Sequence, residues 1–208
     1  MSPVAYYDAL AITSKLSPPF QKVAVSEVHL FAYLACLLSL YRGWPASDWG
    51  YDFVATENGS PFSTEIEHII PVLVREALIE EEDRYLSIGT DGRSEYLELG
   101  KLSENDRREE FLSGACSSVL AVPLGIIRSA VLTDHDMKLA TQFGDTRKLL
   151  SEAAVSDLHN AFATLSEEIG IHVNDLMVPA VVWLNYLSRA DKDGATRHLV
   201  TVSDERNQ

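Results

Sequence analysis

The side chains best suited to nucleophilic, acid–base or metal chemistry are scattered along this sequence. Its six histidines and two cysteines include no His-Glu-x-x-His or Cys-x-x-Cys pattern, the spacings typical of zinc sites. No glycine-rich loop of the kinds that hold nucleotide phosphates is present. The segment 114–117 only loosely resembles a nucleophile turn, and its small residues are more typical of close helix packing. We therefore predict no catalytic residue, no metal site and no cofactor, with an active site assembled from distant residues as the alternative.

One short segment, Thr133-Asp134-His135-Asp136, gathers several metal-ligating residue types. It could hold a divalent cation. The same residues also fit the N-terminal cap and acidic first turn of a helix that begins near Thr133, because a side-chain oxygen and negative charge both stabilise a helix N-terminus. We favour the helix cap.

Acidic side chains dominate the chain and are densest around residues 80–83. The formal net charge is −14, and residues 60–100 hold ten acidic against three basic side chains. DNA binding draws its affinity mainly from Lys and Arg on phosphates, so this surface should repel DNA. We predict instead that a basic protein partner docks here, with a solvated turn as the alternative. The candidate partner-binding residues are Glu80, Glu81, Glu82 and Asp83.

Four elements are predicted in the first hundred residues. A helix over residues 5–16 should stop at Pro18-Pro19. A second helix, over residues 26–43, is apolar all round and is predicted to be the core helix, with Val28, Phe31, Leu34 and Leu38 buried. A third covers residues 63–78, kinked or divided at Pro71. Alternating residues around Asp91-Gly92 predict a β-hairpin over residues 85–99.

The remaining signals are helical, with two exceptions. Breaks are expected at residues 123–125 and 144–145, and helical stretches at 147–169 and 174–189. The aromatic segment between the second and third helices is predicted to pack on the core, with a short strand over residues 52–56. Residues 191–208 should fray, apart from a possible strand at 198–202.

Together these elements predict a mainly α fold with a small β-hairpin. The N-terminal half should be like a winged helix-turn-helix, and the C-terminal half should be helical. The expected domains are residues 1–101, with an N-terminal arm, and residues 102–208. Two isolated cysteines suit a reducing cytosol. We also see neither a secretory signal nor an apolar run of about 18 residues, so we expect no membrane span.

The run from His29-Leu30-Phe31-Ala32-Tyr33-Leu34 through Gly59-Ser60-Pro61-Phe62-Ser63 to Leu78-Ile79-Glu80, together with the predicted hairpin over residues 85–99, resembles the winged-helix core of two bacterial families. One is the Panacea antitoxin domain. The other is the small middle component of three-component, Lamassu-type defence systems, which contain an SMC-like ATPase and a nuclease-like effector. The length and helical C-terminal half are more similar to the middle component.

The resemblance implies a non-catalytic, cytoplasmic scaffold of a bacterial anti-phage or anti-plasmid complex. Its partners would be the SMC-like ATPase, the nuclease-like effector or both, without direct nucleic-acid or membrane contact. Two alternatives stay open. One is a winged-helix DNA-binding regulator that uses basic residues outside the hairpin, and the other is an antitoxin. The candidate phosphate-binding residues for the regulator are Arg107, Arg108, Lys138, Arg147 and Lys148.

Overall fold

The computed structural model describes residues 2–169 and 175–188 and shows a mainly helical protein with two small antiparallel sheets. The first hundred residues contain four helices, all strands of one sheet and two strands of the other. They are α1 Pro3–Phe20, β1 Val23–Ala24, α2 Val25–Tyr41, a 3₁₀ turn Ala46–Trp49, β2 Val54–Ala55, β3 Pro61–Phe62, α3 Thr64–Arg75, β4 Ile79–Glu82, β5 Tyr85–Ile88 and α4 Thr90–Leu99. The elements that follow are α5 Asp106–Ser117, a 3₁₀ turn Ser118–Leu120, α6 Leu124–Val131, α7 His135–Phe143, β6 Arg147–Lys148, α8 Glu152–Ile169 and α9 Met177–Ser188.

Helix α2 is the centre of the molecule, as predicted. Val28, Phe31, Leu34 and Leu38 are all at most 4% exposed, and residues 27–40 are buried on every side. Helices α1, α5 and α8 pack against it. A helix that is apolar all round needs neighbours on every face, and this arrangement supplies them.

Helix α1 continues past the point where the paired prolines were expected to stop it. It includes Pro18 and Pro19 and ends only at Gln21, where φ is +60°. The prolines lie in its last turn, where each lacks the N–H that would bond to a carbonyl one turn earlier. The Gln21 N–H donates to the carbonyl of Ser17 at 2.7 Å and closes the helix end.

The first sheet gives the N-terminal half the order of a winged helix-turn-helix: helix, strand, helix, helix and hairpin. Its strands lie in the order β1-β5-β4, so β4 forms one edge. Helix α3 is not divided at Pro71, which lies within the continuous helix Thr64–Arg75. The aromatic segment between the second and third helices holds the 3₁₀ turn, β2 and β3.

The hairpin is present, but the prediction of its position was wrong. It is formed by β4 and β5, with Ile79 opposite Ile88 and Glu82 opposite Tyr85. Its two-residue turn is Asp83-Arg84, with φ values of +51° and +65°. Two positive φ angles are the signature of a type I′ turn, which matches the twist of the strands.

The Asp91-Gly92 pair lies in helix α4 and not at a hairpin tip. Glycine is required at position 92 because the backbone of α4 passes close to that of Leu78: a Cβ atom built on Gly92 would lie 2.0 Å from the Leu78 carbonyl oxygen. The alternation of residues 96–99 that indicated a strand therefore belongs to a helix that packs on α1.

The second sheet joins the two halves of the sequence. Its order is β3-β2-β6, with Ala55 opposite Arg147 and Val54 opposite Lys148. The strand expected over residues 52–56 is thus confirmed for Val54–Ala55 only. The helix expected over residues 147–169 begins later, at Glu152, because residues 147–148 pair with β2. The division into domains at residue 101 stays a prediction.

The expected breaks in the C-terminal half are confirmed. Helix α6 begins after Pro123, and α7 ends at Gly144 in the left-handed conformation. Helix α9 covers most of the predicted 174–189 stretch. The predicted strand at 198–202 and the predicted fraying of 191–208 lie outside the described residues. Within the described ranges, no single helix combines the length and hydropathy needed to cross a bilayer. Residues 106–120 and Leu124–Val131 reach that length and hydropathy only when they are taken together, and the chain bends by 119° between them.

Candidate functional site: the acidic hairpin

The four predicted partner-binding residues lie together on the outer strand and turn of the β4–β5 hairpin. Glu80, Glu81 and Glu82 occupy β4, and Asp83 is the first residue of the turn. All four are exposed, and Tyr85 at the start of β5 is 50% exposed beside them. An edge strand presents backbone groups to any approaching chain, and charged side chains on it discourage random pairing.

Two of the four carboxylates are paired within the chain. Glu81 lies 3.7 Å from the guanidinium of Arg84, and Glu82 forms an ion pair with Lys22. Glu80 and Asp83 form no direct ion pair among the described residues, although the charge of Lys22 also acts on both carboxylates. These two are therefore the charges most available to a partner.

Arg84 holds the hairpin in place although its backbone conformation is unusual for a residue with a long side chain. Its guanidinium lies 2.8 Å from a carboxylate oxygen of Glu67 on α3, and its carbonyl accepts the Val25 N–H at 3.0 Å. Burial opposes the charged form of Glu67, but hydrogen bonds from Arg84 and His29 outweigh it and lower the pKa of Glu67. The ion pair thus fixes the turn to α3, and the backbone hydrogen bond fixes it to α2.

His29 is the buried histidine of this region, and both of its ring nitrogens are occupied. Nδ1 accepts the Ser63 N–H at 3.1 Å, so Nε2 carries the proton and donates to Glu67 at 3.2 Å. Burial lowers the pKa of His29, and the ring stacks on Phe62. With both nitrogens bonded, this side chain joins α2 to Glu67 on α3 and to the backbone of Ser63 before it.

The other candidates for chemistry also have packing roles. Cys36 and Cys116 are buried; burial raises the pKa of both thiols, that of Cys116 to about 12. A Cβ atom on Gly114 would lie 2.5 Å from the Cβ of Leu176, so the predicted close-packing role of segment 114–117 is confirmed.

The segment 133–136 forms a helix cap. The Oδ1 atom of Asp134 accepts the N–H groups of residues 136 and 137 and caps α7. Helix α7 begins at the next residue, His135. Within residues 2–169 and 175–188, no cluster of three or more His, Cys, Asp or Glu side chains is placed so that it could hold a metal ion.

The five candidate phosphate-binding residues are dispersed. Arg108 is buried, Arg107 lies over the ring of Trp44 at 5.5 Å, and Arg147 pairs with Asp145 at 2.9 Å. Lys148 pairs with Asp52 at 3.1 Å, and Lys138 is not free of partners either. The described residues thus bring no basic patch together from this set.

Sequence reasoning missed two polar networks that join α1 to α5. In the first, Arg108 binds both carboxylate oxygens of Asp8, at 2.5 and 2.6 Å, and the Trp49 carbonyl at 2.8 Å. In the second, Glu109 accepts from Lys15 at 2.5 Å and from the hydroxyl groups of Tyr7 at 2.6 Å and Tyr96 at 2.8 Å. The partners on α1 and α5 lie about a hundred residues apart in the sequence, so no local pattern could have revealed these contacts.

The hairpin offers an acidic edge strand that is joined to α3 by the Arg84–Glu67 ion pair and to α2 by a backbone hydrogen bond. Such a surface can attract and orient a basic partner. No family model, curated protein or solved structure matches this chain.

Proposed function

We propose that this protein is a non-catalytic adaptor subunit of a bacterial anti-phage or anti-plasmid defence complex. Its acidic hairpin, residues 79–88, would dock on a basic surface of a protein partner. The partner classes, an SMC-like ATPase and a nuclease-like effector, come from the resemblance of residues 29–99. The protein would act in the cytoplasm, without direct contact to nucleic acid or membrane.

The observation that carries the proposal is the position of the unpaired acids on an open sheet edge. Glu80 and Asp83 are exposed and unpaired among the described residues, while Arg84 fixes their backbone. Holding like charges close together costs free energy, which attraction to a basic partner would offset. Tyr85 adds a half-exposed aromatic side chain of the type enriched at protein interfaces.

The experiment compares two variants of equal charge in affinity purification from the native host. One variant is Glu80→Gln/Asp83→Asn, in which Asn tolerates the positive φ of the turn. The control is Glu104→Gln/Asp106→Asn, at exposed positions outside the hairpin. We expect an ATPase or nuclease partner to co-purify in stoichiometric amount with the wild type and the control but not with the hairpin variant. Elution of the wild type as a lone monomer contradicts the proposal.

The DNA-binding alternative has its own test. A winged-helix regulator should bind duplex DNA at low salt and lose affinity steeply as salt rises. The acidic surface of α3 and the hairpin favours the adaptor, so we expect no binding at about 50 mM salt. A salt-dependent shift in that assay would favour the regulator instead.

A further inference from the structure

A second surface, separate from the acidic hairpin, has the features of a small-molecule site. A cavity of about 390 Å³ lies among α7, α8 and α9. A cavity of about 200 Å³ adjoins it and shares Ala161, Trp183 and Tyr186 with it. The volume of the larger one is in the range of pockets that take small ligands. Most of its wall is apolar or aromatic, including Leu149, Leu150, Leu158, Trp183, Tyr186 and Leu187.

The charged groups of this cavity are all acidic. Asp134, Asp136 and Asp157 line it, and its described wall contains no Lys, Arg or His. Burial raises the pKa of Tyr33, another wall residue, and the charges of Asp134 and Asp136 raise it further. The carboxylates therefore act on the interior of the cavity and would favour a positively charged group there.

The aromatic wall adds a hydrogen-bond donor without a partner. The Trp183 ring stacks on Tyr186, with centroids 5.6 Å apart and planes at 23°, and its centroid lies 4.9 Å from that of Phe162. Trp183 is 8% exposed, and its indole N–H has no acceptor among the described residues. A buried donor of this kind is normally bonded, so an oxygen acceptor on a ligand would complete it.

We propose that this cavity binds a small amphipathic organic cation: a protonated amine on an aromatic or aliphatic body that also carries an oxygen acceptor. Asp136 and Asp157 bind the ammonium group, Trp183 and Tyr186 contact the apolar body, and the indole N–H donates to the oxygen. Cation recognition by aromatic rings strengthens such binding where water is excluded. The site shares no residue with the acidic hairpin and stands whether or not the adaptor function holds.

Three ligands with the same 4-hydroxyphenyl body test the charge requirement on the full-length chain. Tyramine is cationic, N-acetyltyramine is neutral and 3-(4-hydroxyphenyl)propionate is anionic. In calorimetric titrations we expect saturable binding of tyramine, with the other two at least about tenfold weaker. The indole N–H signal of Trp183, assigned with Trp183→Phe, should shift on tyramine addition. Equal binding of all three ligands, or no saturable tyramine binding up to about 10 mM, overturns the proposal.

Matched carboxylate variants locate the site. Asp136→Asn/Asp157→Asn should weaken tyramine binding about tenfold, while Asp91→Asn/Asp106→Asn, with the same change in net charge, should leave it unchanged. The single variant Asp157→Asn, at an exposed position, repeats the test if the double variant unfolds. Unchanged affinity in a folded cavity variant, or an equal loss in the control, refutes the assignment.

Discussion

The ion pair between Asp8 and Arg108 should be the most costly polar contact in this protein to break. Asp8 is fully buried and Arg108 is 6% exposed, and the guanidinium also lies 3.9 Å from the centroid of the Trp49 ring. Arg108→Met keeps much of the side-chain volume but leaves the Asp8 carboxylate buried, with the Tyr51 hydroxyl as its one remaining side-chain donor among the described residues. It also leaves the Trp49 carbonyl without its guanidinium donor.

The expected loss for Arg108→Met is about 3–5 kcal/mol of unfolding free energy, the usual cost of an uncompensated buried charge. Removing both charges, in Asp8→Ala/Arg108→Met, leaves no unpaired ion. The double variant should therefore lose less than the sum of the two single losses, by about 2 kcal/mol or more.

Urea unfolding followed by circular dichroism gives the unfolding free energy of the wild type, the two single variants and the double variant, which together form the double-mutant cycle. The control is Arg147→Met, which removes an arginine from a solvent-exposed pair with Asp145 and should cost at most about 1 kcal/mol. Additive losses for Asp8 and Arg108, or an Arg108→Met loss no larger than that of the control, would refute the reasoning.

Three further predictions concern the core, a helix contact and pH. Leu34→Ala should cost about 2–5 kcal/mol in urea unfolding, because it empties a packed site on α2, and a loss well under about 1 kcal/mol would contradict the assignment of the core helix. Gly92→Ala should lower the melting temperature, because the new Cβ would lie 2.0 Å from the Leu78 carbonyl oxygen. The control Gly125→Ala, whose Cβ would have no neighbour within 4 Å, should leave the melting temperature unchanged. Equal melting temperatures for the two variants would argue against the close approach. The folded pKa of His29 lies below its ordinary value of 6.5, so below that pH the unfolded chain binds more protons and stability falls. Between about pH 7 and pH 5.5, the wild type should therefore lose more melting temperature than His29→Gln, and parallel curves would contradict this.

The sequence was most informative where apolar spacing alone determines an element. Helix α2 could be predicted with its buried residues because almost every position in it is apolar. The winged-helix order could be predicted as well, since the helices and hairpin follow one another locally. The position of the hairpin could not be predicted. Its type I′ turn is formed by Asp83-Arg84, whereas Asp91-Gly92, the stronger turn signal in the sequence, lies in α4, where Gly92 allows close approach to the Leu78 carbonyl.

Longer-range features of the candidate site were beyond sequence reasoning. The acidic run at residues 80–83 was visible, but its place on a sheet edge depends on the pairing of β1 with β5. The neutralisation of Glu82 by Lys22 depends on the same pairing, which brings residues sixty positions apart into contact. Likewise, Arg108 looked like a candidate phosphate ligand until its contact with Asp8 was known.

The central claim is that the acidic hairpin recruits a basic protein partner. The most direct test is the association rate of the purified chain with the partner that co-purifies with it, measured by stopped flow at low and high salt. Glu80→Gln/Asp83→Asn should slow association about three- to tenfold at low salt, and the difference should shrink as salt screens the charges. The control Glu104→Gln/Asp106→Asn should retain the wild-type rate. If the hairpin variant associates at the wild-type rate at low salt, the acidic hairpin is solvated surface and the account is wrong.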